Sequence, residues 1–348
     1  MRYLSVCSGM EAASVAWHPL GWQPVGFSEI EPFPCAILKH RFPNIPNYGS
    51  LTEYKQWPLE PGAIDLLVGG TPCQSFSVAG LRKGLDDPRG NLALVFLGLA
   101  DKLKPRWIVW ENVPGVLSSA GGRDFGSFLG ALVELGYGFA YRVLNAVHFG
   151  VAQRRRRVFV VAHLGDWRPA AEVLFEPESL RRDPAASGEK KEGHPGDLGS
   201  GAQADRPIIL DRASFNQGIN AQYDPQIEET ETCPTVISKG PHAVQPKCVT
   251  GDITHCLTKR FDSSEDGTGR GLPIVPESMK VRRLTPVECE RLQGFPDNWS
   301  RIIWKGKPEE QCPDGPRYKA CGNSMAVPVM FWIGQRIAAA DAKHFPHA

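Results

Sequence analysis

The chain has 348 residues, a formal net charge of +1, 42% hydrophobic residues and 22% charged residues. These values are ordinary for a globular protein and exclude an intrinsically disordered chain. No run of about eighteen or more apolar residues occurs, so we expect neither a membrane span nor a membrane partner. Because the net charge is near zero, an anionic partner such as nucleic acid would be bound through local basic segments.

The nine cysteines are dispersed along the chain and include no Cys-x-x-Cys pair. This pattern predicts reduced thiols in a cytoplasmic protein rather than a disulfide framework. The grouping closest to a metal site is His242, Cys248, His255 and Cys256, but its spacings match no zinc template, so we predict no metal. The first residues lack a long apolar stretch and are predicted to form a strand, not a signal peptide.

From residue 1 to about residue 165, short apolar runs alternate with helical patterns. This alternation predicts an α/β fold with a doubly wound, mostly parallel sheet. The predicted strands are Tyr3–Cys7, Pro24–Ser28, Ile64–Gly69, Trp107–Trp110, Tyr137–Asn145 and Arg155–His163. The predicted helices lie near Met10–His18, Phe33–Arg41, Asn91–Leu103 and Phe125–Leu135.

The composition then changes. Residues 176–206 are rich in proline, glycine, serine and charged residues, which predicts a mobile linker. Residues 207–276 contain short β-like pieces between turn residues and predict an irregular second domain. Thr285 stands before a proline and predicts the start of a helix, and a closing helix is predicted over Met325–Ala340. The short β-like pieces are 207–210, 234–237, 255–258 and 273–275.

Cys73 lies three positions after the pair Gly69-Gly70, which ends the apolar run 63–68. The run predicts a buried strand, so Cys73 lies at the carboxyl edge of the sheet, where open α/β folds bind ligands. This placement favours a nucleophile. The alternative is a small buried apolar side chain, which is the more frequent role of a free cysteine.

A second apolar strand ends in Glu111-Asn112, at the same predicted edge. A glutamate that is partly shielded from water and lies near a nucleophile can act as an acid, because shielding raises its pKa. Considered alone, the pair is also typical of a helix cap or a solvated turn.

Four consecutive arginines, 154–157, precede a strongly apolar strand. Because side chains alternate along a strand, Gln153, Arg155 and Arg157 are predicted to share one face. Arginines directed into the domain need anionic or carbonyl partners. A solvated basic surface is the alternative.

Residues 4–11 predict a strand, a turn and a helix, and Glu29 ends the next strand, twenty residues after Gly9. An acidic residue at that position binds ribose hydroxyls in α/β folds that bind nucleosides. We therefore expect a pocket for an adenosine-containing cofactor.

Five motifs in this order resemble the cytosine-C5 DNA methyltransferases, particularly those of phages and prophages, and span about two-thirds of the chain. They are Pro72-Cys73-Gln74-Ser75-Phe76-Ser77, Glu111-Asn112-Val113, Gln153-x-Arg155-x-Arg157, Arg283-Leu284-Thr285-Pro286-x-Glu288-x-x-Arg291-Leu292-Gln293-Gly294-Phe295-Pro296 and Gly322-Asn323-Ser324.

The resemblance implies that Cys73 attacks C6 of a cytosine that is flipped out of duplex DNA, and that Glu111 holds the base. Arg157 would contact the cytosine O2, and Arg155 would support the base and the catalytic loop. The methyl donor would be S-adenosylmethionine, with no metal. Its implied binding residues are Cys7, Ser8, Gly9, Met10, Glu29, Ile30, Ser50, Leu51, Leu92, Asn323 and Ser324.

Four departures from the family pattern fall in this implied cofactor site. Ser5 stands where an acidic residue is usual, and Cys7 stands where phenylalanine is usual. Glu11 opens the pair that is usually two glycines, and Ser50 stands where an aspartate is usual. These departures concern the affinity for the cofactor and leave the chemistry of Cys73 untouched.

The resemblance also implies a domain plan and partners. Residues 1–165 and 281–348 would form the catalytic domain, and residues 166–280 would form a small β-rich target-recognition domain that contains the linker. The expected partner is double-stranded DNA, with a cognate restriction endonuclease as a possible second partner. The protein would act as a monomer in the cytoplasm of a bacterial or phage-infected cell, associated with the nucleoid.

Two other functions remain open from the sequence. The first is methylation of transfer RNA by the same chemistry, which the long recognition segment disfavours. The second is a DNA-binding protein without catalysis, which only the departures in the cofactor site support.

Overall fold

The computed structural model describes residues 1–72, 92–175 and 284–345, together with the backbones of five short strands between residues 208 and 283. The long strands are β1 (Arg2–Val6), β2 (Gln23–Ser28), β3 (Leu66–Gly69), β4 (Trp107–Asn112), β5 (Tyr137–Asn145) and β6 (Arg156–Leu164). The helices are α1 (Ala12–Trp17), α2 (Pro32–Arg41), α3 (Leu92–Leu103), α4 (Arg123–Glu134), α5 (Arg168–Leu174), α6 (Pro286–Gln293), α7 (Asp314–Asn323) and α8 (Val327–His344).

The six long strands form one sheet in the order β2-β1-β3-β4-β6-β5. β1 pairs in parallel with β2 and with β3, and β3 pairs in parallel with β4. β6 is antiparallel to both β4 and β5. The predicted α/β fold with a mostly parallel sheet is therefore confirmed.

Helices cover both faces of this sheet, because its strands are apolar on both sides. Along β1, Tyr3 enters one hydrophobic core and Leu4 enters the other. Along β4, Val109 and Trp110 separate in the same way. The first core includes side chains of α1, α5 and α8, and the second includes side chains of α3 and α4. This arrangement is the doubly wound architecture that the alternating pattern predicts.

The turn after β1 holds three residues with positive φ within five positions: Cys7 at 50°, Gly9 at 57° and Glu11 at 67°. Only glycine adopts this conformation without steric cost. Because Glu11 is left-handed, α1 begins at Ala12 and not at Met10 as predicted.

Two helices were not predicted from the sequence. α5 packs against β5, β6 and α8, so the first residues of the predicted recognition segment lie on the catalytic sheet. α7 contains Gly315 and Pro316 in its first turn, where a helix tolerates proline. It is joined to α6 by a buried ion pair, in which Arg317 Nη2 lies 3.0 Å from Glu290 Oε1.

Short strands are described in the segment before α6. β7 (Ile208–Leu210) pairs with β8 (Ile227–Glu229) and with β9 (Ala243–Val244), and β10 (Ile274–Glu277) pairs with β11 (Lys280–Arg283). The predicted pieces 207–210 and 273–275 correspond to β7 and β10. The pieces 234–237 and 255–258 and the linker 176–206 lie outside the described residues. The four residues of the histidine and cysteine group, between positions 242 and 256, lie outside them as well. A separate recognition domain with the predicted boundaries remains a prediction. None of the described helices has the length and apolar character needed to cross a membrane.

Candidate active site

A pocket opens at the carboxyl ends of β1, β3 and β4. β1 has its sequence neighbour β2 on one side and β3 on the other, and this reversal of strand order creates the crevice in which open α/β sheets bind ligands. The pocket is lined by Ser5, Val6, Cys7, Ser8, Gly9, Glu11, Ala12, Ala13, Val68, Gly70, Glu111, Asn323, Ser324 and Met325.

Glu111 and Arg157 form an ion pair beside this pocket. Arg157 Nε lies 3.1 Å from Glu111 Oε1, and the two side chains are 15% and 12% exposed. β4 and β6 are adjacent, which brings together two residues that are far apart in the sequence. A carboxylate has about four acceptor directions, so Glu111 keeps acceptor capacity for an N–H donor of a ligand besides its contact with Arg157.

Thr71, two positions before Cys73, is fixed by the same strand as Glu111. Trp110 Nε1 donates to Thr71 Oγ1 at 3.0 Å, and Asn112 Nδ2 donates to the Thr71 carbonyl at 3.0 Å. Thr71 is therefore buried and held at both its side chain and its backbone. Cys73 itself lies outside the described residues, two positions beyond this anchor.

Arg155 acts as a bridge within the protein. Its guanidinium donates to the Gly322 carbonyl at 3.2 Å, and the side chain is only 3% exposed. The neighbouring Gln153 is also buried and donates to the Leu292 carbonyl at 3.0 Å. The predicted alternation is present, because Gln153 and Arg155 are buried whereas Arg156 is exposed. These bonds tie the residues just before β6 to the last turns of α6 and α7.

Glu29 is held at the end of β2 by backbone donors. Its Oε2 accepts from the Gly9 N–H at 2.7 Å, and its Oε1 accepts from the N–H groups of Ile30 and Glu31, each at 2.8 Å. A carboxylate has about four acceptor directions, so capacity remains for ligand hydroxyls. Ile30 is 67% exposed beside it, an apolar surface suited to a planar base. Both positions fit the predicted ribose and adenine contacts.

The Cys7 thiol stays protonated at neutral pH. Burial raises its pKa to about 12, and the nearby Glu29 carboxylate adds to this effect. Cys7 therefore contributes a neutral, polarizable wall and not a nucleophile.

The other predicted cofactor residues divide into two groups. Cys7, Ser8, Gly9, Asn323 and Ser324 line the pocket, as Glu111 does. The side chains of Met10 and Leu51 are instead buried in the two cores, and the Ser50 hydroxyl caps the turn that follows it. Leu92, the first described residue of α3, packs against the second core.

Two features of the pocket were not predicted from the sequence. Ser5 and Glu11 depart from the family pattern, yet both line the pocket and Ser5 Oγ donates to Glu11 Oε2 at 2.8 Å. Gly70 is predicted only as the end of a strand. A Cβ at Gly70 would lie 3.0 Å from Glu111 Oε2 and 3.3 Å from Met325 Cε, so this glycine makes room for the glutamate. The Gly-Gly pair before Cys73 is the sequence signal for the second feature.

The sequence matches the family model of C-5 cytosine-specific DNA methylases over residues 1–339. It is 37% identical to a protein of Escherichia phage P1 named DNA N-6-adenine-methyltransferase, with 97% of this chain and 61% of the phage protein covered. It is 27% identical to Type II methyltransferase M2.BsuMI of Bacillus subtilis, with 97% of this chain and 75% of that protein covered. The chain thus spans less than two-thirds of the phage P1 relative.

Solved structures show the same fold. The S. pombe Dnmt2 methyltransferase superposes with a TM-score of 0.58 at 17% identity, covering 99% of each chain. The Entamoeba histolytica methyltransferase EhMeth superposes with a TM-score of 0.57 at 16% identity, covering 97% of this chain and 98% of that one. At these identities the likeness concerns the fold alone.

Proposed function

Because the chain belongs to the C-5 cytosine-specific DNA methylase family, we propose that it methylates C5 of a cytosine within a specific sequence of duplex DNA. The observation that carries this proposal is the Glu111–Arg157 pair, set beside the pocket and next to the anchored residue two positions before Cys73. A carboxylate, a guanidinium and a thiol are the groups needed to hold and activate a cytosine ring.

The residues that line the pocket, together with Glu29 and Ile30 beside it, fit S-adenosylmethionine as the methyl donor. Glu29 offers free carboxylate acceptor positions, and Ile30 offers an exposed apolar face beside them. The turn after β1 leads from there towards Glu111 and the Asn323-Ser324 turn. When bound, S-adenosylmethionine supplies an electrophilic methyl group and leaves as S-adenosylhomocysteine.

The role of Cys73 follows from the weak nucleophilicity of the aromatic C5 atom. In the proposed reaction the Cys73 thiolate adds to C6, which breaks the ring's C5–C6 double bond and makes C5 enamine-like. After C5 has accepted the methyl group, water accepts the C5 proton, the C–H electron pair re-forms the C5–C6 double bond, and the Cys73 thiolate leaves C6. The thiolate is regenerated, so atoms and electrons balance over the cycle.

Glu111 and Arg157 would act on the cytosine after it has been flipped out of the duplex. Glu111 would accept a hydrogen bond from the exocyclic amine, and as an acid it would give a proton to N3, where negative charge develops when the thiolate adds, and take it back when the thiolate leaves. The guanidinium of Arg157 would donate to the cytosine O2. Arg155, bonded to the Gly322 carbonyl, would keep the base site and the cofactor site in register.

The segment 166–280 is the proposed source of sequence recognition, and double-stranded DNA is the proposed partner. The same proposal includes action as a monomer, association with the nucleoid and pairing with a restriction endonuclease. The match to type II methyltransferases such as M2.BsuMI supports the DNA partner and the pairing with an endonuclease.

A second candidate function is methylation of adenine N6, because the phage P1 relative carries that name. An exocyclic amine carries its own lone pair and needs no thiol adduct, so Cys73 and Glu111 favour the cytosine reaction. Methylation of transfer RNA and DNA binding without catalysis also remain open.

The deciding experiment incubates the protein with S-adenosylmethionine and either duplex DNA or transfer RNA, followed by nucleoside analysis by mass spectrometry. We expect 5-methyldeoxycytidine from DNA with the wild type and none with Cys73→Ser, which should still bind DNA. N6-methyldeoxyadenosine, or product from transfer RNA alone, would overturn the proposal. Full activity of Cys73→Ser would overturn the role of the thiol.

A further inference from the structure

A carboxylate is buried where the turn after β1 meets α1. Glu11 is 1% exposed and lines the pocket together with Ser5. Its Oε1 accepts from the backbone N–H and from the hydroxyl of Ser14, both at 3.0 Å. Its Oε2 accepts from Ser5 Oγ at 2.8 Å. Three hydrogen bonds therefore fix the carboxylate at the wall of the pocket.

Helix capping explains only part of this arrangement. The bond from the Ser14 N–H is an N-cap interaction, which serine, aspartate or asparagine makes from an extended backbone. Glu11 instead adopts a φ of 67°, a conformation that carries a steric cost for any residue with a Cβ. Its second oxygen contacts Ser5 on β1 and takes no part in capping.

The surroundings of Glu11 lack a positive charge. Among the described residues, no lysine, arginine or histidine forms an ion pair with it. The ionisable groups around it are Tyr3 on β1, Cys7 in the turn and Glu29 at the end of β2, and Glu111 lines the same pocket. In the helix packed on α1, residues 327–333 contain no ionisable side chain. Because Arg157 compensates the charge of Glu111, Glu11 is the carboxylate of the pocket wall that would favour a cationic ligand.

We propose that Glu11, together with the Ser5 hydroxyl, binds the ammonium group of the methyl donor's amino-acid portion. This inference rests on the proposed function, because that function places S-adenosylmethionine in the pocket. The Ser5 hydroxyl donates its hydrogen bond to Glu11, so the lone pairs of the Ser5 oxygen can accept a hydrogen bond from an ammonium group. The Ser5–Glu11 pair thus places an acid beside the pocket although β1 itself carries none.

The proposal predicts that ligand binding releases a proton. Burial raises the pKa of Glu11 to about 7, although its hydrogen bonds with Ser5 and Ser14 lower that pKa in part. An ammonium group stabilises the ionised carboxylate, so the pKa falls when the ligand binds. The affinity should therefore rise with pH and level off above about pH 7. Tyr3 and Cys7 remain neutral in this range because burial raises the pKa of each.

Two probes separate the parts of the ligand. S-adenosylhomocysteine carries the ammonium group without the sulfonium charge, and 5′-methylthioadenosine carries neither. Calorimetry in buffers of different ionisation enthalpy measures the affinity and the protons released. For wild type with S-adenosylhomocysteine, we expect proton release and a roughly tenfold rise in affinity between about pH 6 and about pH 8. For 5′-methylthioadenosine we expect neither.

Glu11→Gln keeps the hydrogen-bonding shape but not the charge. We expect it to release no proton and to bind S-adenosylhomocysteine roughly tenfold more weakly at about pH 8, with unchanged affinity for 5′-methylthioadenosine. Asp124→Asn is the matched control, because Asp124 is also buried near the start of a helix and accepts from a serine, but does not line the pocket. This control should behave as wild type.

A double variant, Ser5→Asp with Glu11→Gly, moves the carboxylate onto β1 and relieves the positive φ. It keeps the test decisive if Glu11→Gln does not fold, and we expect an affinity for S-adenosylhomocysteine within about threefold of wild type. Wild-type binding without proton release, or unchanged binding by Glu11→Gln, would overturn the role of Glu11 alone. If S-adenosylhomocysteine does not bind at any pH, the proposed function fails with it.

Discussion

The two walls of the pocket each carry a glutamate, and the two glutamates have opposite surroundings. On the wall formed by β3 and β4, Glu111 meets a guanidinium at 3.1 Å. On the wall formed by the turn after β1, Glu11 meets only hydroxyl groups and one backbone N–H. The first carboxylate has a fixed cation beside it, whereas the second has no such partner among the described residues. The same side chain can thus serve as half of an ion pair or as a proton-coupled group, depending on its neighbours.

Glu111→Gln tests the wall with the fixed cation and has the largest expected effect. Glutamine cannot give a proton to N3, so the negative charge that develops on the ring when the thiolate adds is not neutralised, and methyl transfer to duplex DNA should fall about 10³-fold. Transfer of a labelled methyl group measures this loss. Calorimetry with S-adenosylhomocysteine is the control, and its affinity should change by less than about threefold. An equal loss in both measurements would mean that the two walls do not have separate roles.

The free energy of unfolding should depend on pH because of Glu11, the glutamate that has no cation beside it among the described residues. Because the folded state raises the pKa of Glu11 from 4.5 to about 7, it binds a proton more tightly than the unfolded chain does. The contribution of Glu11 to stability is therefore complete below about pH 4.5 and is lost as the pH rises to about 7, with a size of about 3 kcal/mol. Urea unfolding at several pH values should show this loss in the ligand-free wild type. It should be absent from Glu11→Gln and retained in Asp124→Asn.

Gly70→Ala perturbs Glu111 without changing any charge. The added methyl group would lie 3.0 Å from Glu111 Oε2, which is too close, so the carboxylate must shift from its position beside Arg157. We expect the rate of methyl transfer to fall roughly tenfold or more, because small displacements of catalytic groups are costly. Gly126→Ala is the matched control, since its Cβ meets no atom within 4 Å, and it should leave the rate unchanged.

Thr71→Val has the smallest expected effect and tests the anchor before Cys73. The substitution keeps the shape but leaves the buried Trp110 N–H without its acceptor, which should lower the free energy of unfolding by about 1–3 kcal/mol. Thr71→Ser retains the hydroxyl and should lose less. A stable Thr71→Val protein with wild-type activity would show that the anchor does not depend on this bond.

The elements that local patterns specify were predictable from the sequence. All six strands of the main sheet and the sheet's mostly parallel character follow from short apolar runs that alternate with helical patterns. The pairing of Glu111 with Arg157 was not fixed by these patterns, although both residues were singled out. It depends on β4 and β6 being neighbours, which is a property of the whole sheet.

The features that were missed depend on distant residues or on unusual backbone. α7 begins with Gly315 and Pro316, which locally favour a turn, and its docking depends on Arg317 meeting Glu290 of α6. The contact between Ser5 and Glu11 requires a left-handed glutamate, which no local pattern indicates. For this reason the two residues looked like separate departures and not like one interacting pair.

The packing of α8 on α1 has a consequence for synthesis of the protein. Trp17 Nε1 donates to the Met330 carbonyl at 2.8 Å, although the two residues are 313 positions apart. A Cβ at Gly334 would clash with the same indole nitrogen, so the two helices are in close contact. The segment Asn323–Met325, which closes the pocket, directly precedes α8. A ribosome-bound chain that has not reached these residues therefore lacks one wall of the pocket, and ligand binding must await their translation.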